Sequence, residues 1–531
     1  MPVVETLEPD LTETVVRARP VIDVAPLAAR TPLTWRDRLA PLHEIGALLQ
    51  VTGVLMLTPL LFHWLDKESL EHGLAASVFY IPAAAALLCG KAMQRFIPRR
   101  EISVRDAMLI TALGWVAVCL VGAIPFVTGL HASFIDAVFE SVSGFTTTGI
   151  TVLQGLDDMP RSILLWRSII QWLGGLGILA FFLAVGFRSG SAASSLFSAE
   201  GHKIGGARPV PGIHNTVKAL WKVYLILTCG ALVAFLMGGM DLFDAICHTM
   251  TCVSTGGFST HDASMGYYAQ QGFAHAVLIE YAAVIFMLTG GINFLVHYKV
   301  FQGEISSLWK DFEMRWFWAL VAGFTGLILA DHFLHAPLRD GGESVAADFR
   351  AVLFQVSSMI TSTGFATKDI GDPFFPAVAK QLFLVLMVIG GCVGSTAGGI
   401  KVLRLGILVN MLRNQVHKLT STQRTVNPVT VSGQIIPNFE LQRIGALLAG
   451  WLLLIGLGAL TTAWFSDLDG WQSLSGMTSA VGNMGPFYFS VAKMASLHWF
   501  IKFVYIVGML AGRLEILPLI VLLSRRTWRS A

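Results

Sequence analysis

Apolar residues in this chain gather into runs long enough to cross a bilayer, separated by polar connections of two kinds. A spanning helix needs about 20 apolar residues. Such runs lie near 45–65, 74–94, 105–126, 163–187, 219–239, 273–298, 316–334, 378–409, 443–465 and 498–523. The eighth is long and interrupted by glycine. Ten spans place both termini on one side of the membrane. Four of the connections, 127–162, 240–272, 335–377 and 466–497, each hold an apolar stretch too short to span, at 135–144, 242–253, 349–360 and 471–481. Stretches of about ten apolar residues are candidates for re-entrant segments. The pattern predicts an all-α integral membrane protein with ten transmembrane helices. The first two form an N-terminal hairpin. The other eight form four helix–loop–helix repeats, each starting and ending on the same side and therefore parallel. Parallel repeats are related by an axis along the membrane normal, so the expected centre is a pseudo-fourfold pore.

Each short stretch ends in a loop of small residues. The four read Phe145-Thr-Thr-Thr-Gly-Ile150, Val253-Ser-Thr-Gly-Gly-Phe258, Thr361-Ser-Thr-Gly-Phe365 and Gly482-Asn-Met-Gly-Pro486. Thirteen residues before Gly149, Gly257, Gly364 and Gly485 stand Asp136, Asp244, Ala351 and Gln472, so one register aligns all four units. Gly256 is an adjacent alternative to Gly257. Gly257 is preferred because Gly257-Phe-Ser-Thr260 then pairs with Gly364-Phe-Ala-Thr367. Irregular backbone at membrane depth is tolerated only where it lines a cavity or is buried in protein. Backbone carbonyls can replace the water of a weakly hydrated cation. The expected cation-contacting residues, acting mainly through those carbonyls, are Thr147, Thr148 and Gly149; Thr255, Gly256 and Gly257; Ser362, Thr363 and Gly364; and Asn483, Met484 and Gly485. No Asp or Glu lies within the loops, so an acidic-ring filter is not expected. Half-helices ending at the loops would turn their negative C-terminal ends toward the ion.

Charge sets the orientation. Of 37 lysines and arginines, the outer connections hold only Lys67, Arg161, Arg339, Arg350, Lys368, Lys380 and Lys493. Most of the others fall in the opposite set of loops, which puts both termini in the cytoplasm. The chain is 54% hydrophobic and 13% charged, with mean hydropathy +0.65. This composition excludes a soluble globular protein, and a net charge of +3 gives no reason to expect nucleic acid. Six cysteines without a C-x-x-C spacing point to neither a zinc site nor a disulfide framework. Residues 1–43 have no apolar core of the signal-peptide kind and read as a cytoplasmic arm. The expected units are that arm, a hairpin over 44–100, and repeats over 101–190, 215–302, 314–412 and 440–525.

Two further features concern control of flow. Gly390-Gly-Cys-Val-Gly-Ser-Thr-Ala-Gly-Gly-Ile-Lys401 breaks the eighth span. Each glycine costs a helix about 1 kcal/mol relative to alanine, so a loop is expected there. Arg513 falls within the last span, where a charge needs a partner or a wet cavity. Glu515, two residues on, lies on a different helical face and is a poor local partner. Lys502 and Lys401 are expected to extend toward the interfaces, as are His297 and Tyr298. Asp136, Asp157 and Asp158 lie near the outer mouth. Glu140 and His248 sit on the half-helices and are read as structural.

Several motifs together resemble the Trk/Ktr/HKT superfamily of potassium transporters, in particular its bacterial TrkH/TrkG membrane-subunit branch. They are Ser143-Gly-Phe-Thr-Thr-Thr-Gly149, Trp166-Arg-Ser-Ile-Ile-Gln-Trp-Leu-Gly-Gly175, Asp244-Ala-Ile-Cys-His248 with Ser254-Thr-Gly-Gly-Phe258, Gly290-Gly-Ile-Asn-Phe294, the 390–401 segment, Asn483-Met-Gly-Pro486 and Gly512-Arg-Leu-Glu515. The resemblance covers about 45–525. It implies a K⁺ filter built from the four loops, with Gly149 in the place where serine accompanies Na⁺ selectivity. It implies an intramembrane gate from Gly390, Gly391, Gly394, Ser395, Thr396, Gly398, Gly399, Lys401 and Arg513. It further implies K⁺ as transported ion, no organic cofactor, no enzymatic activity, a bacterial cytoplasmic (inner) membrane location, a homodimer, and a cytoplasmic nucleotide-binding regulatory ring of the TrkA/KtrA type. The fourth loop departs most from the family pattern. A Na⁺- or H⁺-coupled K⁺ symporter on the same fold stays open as an alternative.

Overall fold

The computed structural model describes residues 39, 41–98, 104–177, 213–335, 345–420, 428–431 and 434–524. Most of the expected N-terminal arm and much of the 178–212 and 421–433 connections lie outside the described residues. An N-terminal pair, α1 (Pro41–Leu55) and α2 (Ser77–Phe96), comes first. The two cross closely at Gly46 and Gly90, where a methyl on Gly90 would lie 2.3 Å from the Gly46 carbonyl oxygen. Small residues allow this approach between membrane helices. Between the two, Glu68 accepts a hydrogen bond from the Ser162 amide at 2.8 Å and so ties the pair to the next group of helices.

Four short helices then alternate with longer ones. The first set is α3 (Val104–Gly129), the short α4 (Phe134–Phe145) and α5 (Arg161–Trp172), which runs into a π-turn at Leu173–Gly177. The second is α6 (Ile213–Met237), the short α7 (Leu242–Val253) and α8 (Ala276–Gly291), which bends through 103° into α9 (Phe294–Phe301). The third is α10 (Phe312–His335), α11 (Val345–Ile360), α12 (Ala377–Ile389) and α13 (Val402–Thr420). The fourth is α14 (Asn438–Phe465), the short α15 (Gly470–Gly482) and α16 (Trp499–Arg513), which bends through 119° into α17 (Leu517–Leu523).

Among the described residues, five helices are long and apolar enough to cross a membrane, or seven when each bent pair is one span. The other three expected spans do not meet that description for visible reasons. Helix α2 carries Pro82 and ends in polar residues including Lys91 and Arg95. Helix α5 passes into the π-turn and out of the described residues. The 378–409 run is split between α12 and α13 by the glycine loop. The chain is also not wholly helical: Thr430–Val431 pairs antiparallel with Gln434–Ile435. Val429 and Val431 there are buried with Leu403 and Ile407 of α13 and Ile444 of α14.

The short helices start where sequence chemistry says they should. Ser133 and Asp241 cap α4 and α7 by accepting from the amides of Asp136 at 3.2 Å and Asp244 at 3.0 Å. Asp469 and Gln472 form a reciprocal capping box on α15. Each cap lies sixteen residues before the glycine of its loop. In the third set α11 instead begins earlier, at Val345, and Asp348 occupies the matching place inside its first turn.

Candidate ion-filter site

All four short helices end in the same way. Thr147, Thr255, Ser362 and Asn483 adopt left-handed φ of 52°, 52°, 54° and 53°. Two residues later Gly149, Gly257, Gly364 and Gly485 have φ of 81°, 76°, 88° and 100°. In each loop the amide of Thr148, Gly256, Thr363 or Met484 bonds back to the carbonyl of Ser143, Thr251, Ser358 or Ser479 at 2.8–3.0 Å. The preceding amide bonds to Gly144, Cys252, Met359 or Ala480 at 2.9–3.3 Å. This pair of bonds is the Schellman ending of a helix, whose left-handed position ordinarily takes glycine or asparagine. Two copies hold Thr and one Ser there; non-glycine residues at positive φ are uncommon, and the β-branched Thr is the most strained of these. Asn483 is the one residue of the four suited to the conformation. The fourth loop therefore departs in sequence while keeping the shared backbone. Met484 turns its side chain into the core, where it is fully buried. The positive φ of the second loop falls on Gly257.

The loops also touch in cyclic order. A methyl group placed on Gly149 would lie 2.3 Å from the Gly256 oxygen; on Gly257, 1.9 Å from the Thr363 oxygen; on Gly364, 2.3 Å from the Met484 oxygen; on Gly485, 3.1 Å from the Thr148 oxygen. First meets second, second meets third, third meets fourth, and fourth meets first. The contacts are close enough in three of the four junctions that only glycine fits without displacement of backbone. Some polar side chains pair within this ring: Thr146 with Thr148 at 2.7 Å, Thr361 with Thr363 at 2.8 Å, and Asn483 Nδ2 to Thr148 Oγ1 at 2.9 Å.

The glycine segment 390–401 packs directly against the left-handed positions. The Gly398 amide donates to Ser362 Oγ at 2.5 Å, and Thr255 Oγ1 lies 3.1 Å from Thr396 Oγ1. A methyl on Gly398 would stand 2.9 Å from Asn483 Cβ. Three of the four loops thus meet this segment. It is anchored elsewhere by Thr396 Oγ1 to the Gly290 carbonyl at 3.0 Å and by Cys392 N to the Gly291 carbonyl at 2.9 Å. Gly390, Gly394 and Gly399 all have positive φ, as does Lys401 at 83°. Gly391 faces Ala397, and the Ser395 hydroxyl donates to the Cys392 carbonyl at 2.6 Å.

Arg513 closes the arrangement from the last span. Its guanidinium donates to the Thr396 carbonyl at 2.7 Å and to the carbonyls of Gly174 and Gly175 at 2.5 and 2.9 Å. It lines a cavity of about 70 Å³ with Trp115, Ser395, Gly398 and Lys401. Four helix ends share a pattern here: Gln171-Trp-Leu-Gly-Gly175, Met287-Leu-Thr-Gly-Gly291, Met387-Val-Ile-Gly-Gly391 and Met509-Leu-Ala-Gly-Arg513. Methyls on Gly174, Gly290 and Gly512 would point at the carbonyls of Phe145, Val253 and Val481, at one and the same place in each unit. Arg513 therefore stands where the other three units have glycine.

Several charged residues find their partners inside the protein, two of them away from the interfaces expected for them. Lys502 is buried and donates to Asp136 at 2.5 Å and to the Ala495 carbonyl at 2.7 Å, so it pairs within the protein instead of reaching an interface. The Lys401 ammonium folds back onto the Ala397 carbonyl. His297 is buried and bonds the Thr289 carbonyl at 2.8 Å across the bend between α8 and α9. Glu515 pairs with Arg404 of α13 through both oxygens, at 2.7 and 2.8 Å. Glu140 is buried against Arg167 at 2.9 Å and holds the Val152 amide at 3.1 Å. Sequence reasoning missed Glu313, which accepts from the amides of Val393 at 2.7 Å and Leu403 at 3.1 Å and so pins both flanks of the glycine segment. Its only signal was an acidic residue in the first turn of an apolar helix.

At the ends where α4 and α7 begin, a cleft of about 1060 Å³ is lined by Asp66, Glu68, Glu71, Asp157, Asp158, Asp241 and Asp244 together with Lys67, Arg161 and His261. The wall is net acidic, which enriches cations at its mouth. His261 bridges two of these carboxylates, Asp157 at 2.5 Å and Asp244 at 2.9 Å, and stacks on Tyr267 at 3.5 Å. Burial works against its charged form, but the hydrogen bonds and charges of Asp244 and Asp157 outweigh burial and raise its pKa above the ordinary value. Burial likewise opposes the Asp244 carboxylate, and its bond from His261 prevails, holding it well below the usual range.

The family model for TrkH, described as a cation transport protein, matches residues 77–529. The chain belongs to the TrkH family. It is 34% identical over 502 residues to the Trk system potassium uptake protein TrkH of Vibrio parahaemolyticus, covering 92% of this chain and 98% of that one. To TrkH of Escherichia coli K12 it is 33% identical over 438 residues, covering 81% and 87%. To TrkG of the same strain it is 30% identical over 500 residues, covering 92% and 98%. The crystal structure of the potassium transporter TrkH from V. parahaemolyticus superposes with a TM-score of 0.80 at 33% identity, covering 93% of this chain and all of that one. Members of the TrkH family are membrane transporters and not enzymes.

Proposed function

We propose that this chain takes up K⁺ across the bacterial cytoplasmic membrane through a filter formed by the four loops. The observation that carries this reading is the ring of contacts from Gly149 to Gly256, Gly257 to Thr363, Gly364 to Met484 and Gly485 to Thr148. A closed ring of loops that are left-handed at every second residue brings backbone carbonyls around one axis, where they substitute for the hydration shell of K⁺. The C-terminal ends of α4, α7, α11 and α15 meet the ring and add negative potential. The membrane potential drives entry with about 2.3 kcal/mol per 100 mV. In this reading the ten helices form a hairpin and four parallel repeats about the pore, with both termini cytoplasmic.

Segment 390–401 is the proposed gate, and the contacts of Thr396 and Gly398 with Thr255 and Ser362 support reading it as shut. Arg513 adds a positive charge in the path below the filter and holds the gate in place. Opening requires the segment to leave the underside of the filter. The far end of α13 exposes Leu412, Val416 and Leu419, spaced along one helical face, next to the basic Arg413 and Lys418. This is the surface proposed to meet a cytoplasmic nucleotide-binding ring, and the chain is proposed to act as a homodimer.

Uptake of radioactive Rb⁺ into liposomes, competed by K⁺ and by Na⁺, tests the reading, with Gly149→Ser in parallel. K⁺ should compete far better than Na⁺ in the parent protein, and the serine variant should lose that preference. Equal competition in the parent overturns it. Repeating the assay under imposed Na⁺ or H⁺ gradients distinguishes a channel from a coupled symporter.

A further inference from the structure

The signature Trp166-Arg-Ser-Ile-Ile-Gln171 supplies two side chains that the filter and gate do not account for. Arg167 and Gln171 are one turn apart on α5 and share a face. Both are almost fully buried. Gln171 Nε2 donates to the Gly256 carbonyl at 2.7 Å, and its Oε1 accepts from the Phe258 amide at 3.0 Å. Arg167 donates to the Ser259 carbonyl at 3.0 Å, lies 4.1 Å over the Phe258 ring, and pairs with Glu140 at 2.9 Å. Helix α5 comes after the first loop in the chain but grips the second loop on either side of Gly257. Its hold falls on the junction where Gly149 abuts the Gly256 oxygen.

The matching helices in the other three units have Met287, Met387 and Met509 at this place, each fully buried. Methionine has no hydrogen-bond donor, so those units lack this clamp. We infer that Gln171 is a specificity-determining positioning residue: its carboxamide pins the Gly256 carbonyl and makes the second loop the rigid member of the filter. This inference rests on the reading of the four loops as a K⁺ filter. The physical reason is the difference between ions. Na⁺ is smaller than K⁺ and is well coordinated only if the carbonyls draw inward. A carbonyl whose oxygen is held by a buried amide donor resists that contraction, and the oxygen, already accepting a hydrogen bond, presents a weaker field. Cavity size and the field strength of the coordinating carbonyls are the two accounts of such selectivity, and on either one releasing a carbonyl of the four favours the smaller ion.

The test is Rb⁺ uptake by the full-length protein in liposomes, read as the ratio of the Na⁺ and K⁺ concentrations that halve uptake. Gln171→Met installs the residue of the other three units. Loss of one neutral hydrogen bond corresponds to about a fivefold to tenfold change in an equilibrium. Na⁺ should become a better competitor by that factor while K⁺ competition is unchanged. A residue that only supported the fold would lower the yield or the uptake of all ions together and leave the ratio alone, and an unchanged ratio overturns the inference. Should the methionine variant fail to accumulate, Gln171→Asn, which keeps the amide but falls a methylene short of Gly256, reads the same ratio with the same criterion. Gly485→Ala runs alongside because a methyl has most room there, at 3.1 Å from its neighbour. If Gly485→Ala moves the ratio and the Gln171 variants do not, the filter stands and the role of Gln171 is lost. If none of them moves it, the filter reading itself falls.

Discussion

The amide of Gly398 donates to the hydroxyl of Ser362 at 2.5 Å, joining the glycine segment to the residue on which the third short helix turns left-handed. One bond thus connects the part expected to move with the part expected to select. Ser362→Ala leaves the Gly398 amide without its acceptor. A lost hydrogen bond of about 1 kcal/mol should raise basal Rb⁺ uptake into liposomes about fivefold, with the K⁺ over Na⁺ preference retained. Unchanged basal flux would show that this bond does not hold the gate shut.

Arg513→Ala removes three charge-assisted contacts, to Thr396, Gly174 and Gly175. It also removes a positive charge from the cavity beneath the ring. Bonds to charged groups contribute about 1.5–3 kcal/mol each, so the leak should rise by more than tenfold and exceed that of Ser362→Ala. Arg513→Lys should fall between them, since an ammonium cannot reproduce the fork of donors.

The glycines of the four loops should not tolerate a methyl equally. Gly257→Ala forces a contact of 1.9 Å with the Thr363 oxygen, whereas Gly485→Ala meets Thr148 at 3.1 Å. Both are strained by positive φ. Thermal denaturation in detergent should show a clearly larger loss for Gly257→Ala, with Gly149→Ala and Gly364→Ala between the two. Equal losses would mean that the four junctions are equally tight.

Lys502 and Asp136 join the last span to the first short helix at 2.5 Å, with the lysine almost fully buried and the aspartate a quarter exposed. Asp136→Asn leaves a buried ammonium without its counter-charge and should destabilise by up to about 3 kcal/mol. Lys502→Met in the same background should recover part of that loss. A double-mutant cycle by thermal denaturation reads the coupling, and strict additivity would argue against the pair.

The bridge that His261 makes between Asp157 and Asp244 should give stability a pH dependence. Its pKa is raised in the folded protein, so the stabilisation is fully present below the unfolded value of about 6.5 and is lost as pH rises through the raised value. Asp244, held well below the ordinary range, stays ionised throughout that window. The melting temperature of the parent should fall relative to that of His261→Gln as pH goes from about 6 to about 9. Parallel curves would remove the bridge from consideration.

How much of this is legible in the chain depends on the range of the interaction. The short helices and their glycines are legible because caps and turns are local. Ser133, Asp241 and Asp469 announce three helix starts, and the glycines sixteen residues on announce the loops. The third start differs from the sequence pattern because nothing at Asp348 interrupts a helix that begins at Val345. The shared Schellman ending is hidden because Thr147, Thr255 and Ser362 occupy a position where sequence rules expect glycine. Charged partners escape sequence reasoning for a different reason. Arg404 and Glu515 are 111 residues apart, and Lys502 and Asp136 are 366 apart. Only packing brings them together, so a single helical wheel gives Glu515 no partner and sends Lys502 to the interface.

The arginine that takes the place of Gly175, Gly291 and Gly391 has a consequence for how such a pore could be assembled. Were the ring made from four identical chains, any residue at that place would appear four times. Four guanidiniums within a cavity of about 70 Å³ would repel one another and any approaching cation alike. Because all four units belong to one polypeptide, a single substitution sets one guanidinium on one side and leaves glycine at the same place on the other three. Fusing the units into one chain is what permits an arginine to occur once at a place that four identical subunits would have filled four times.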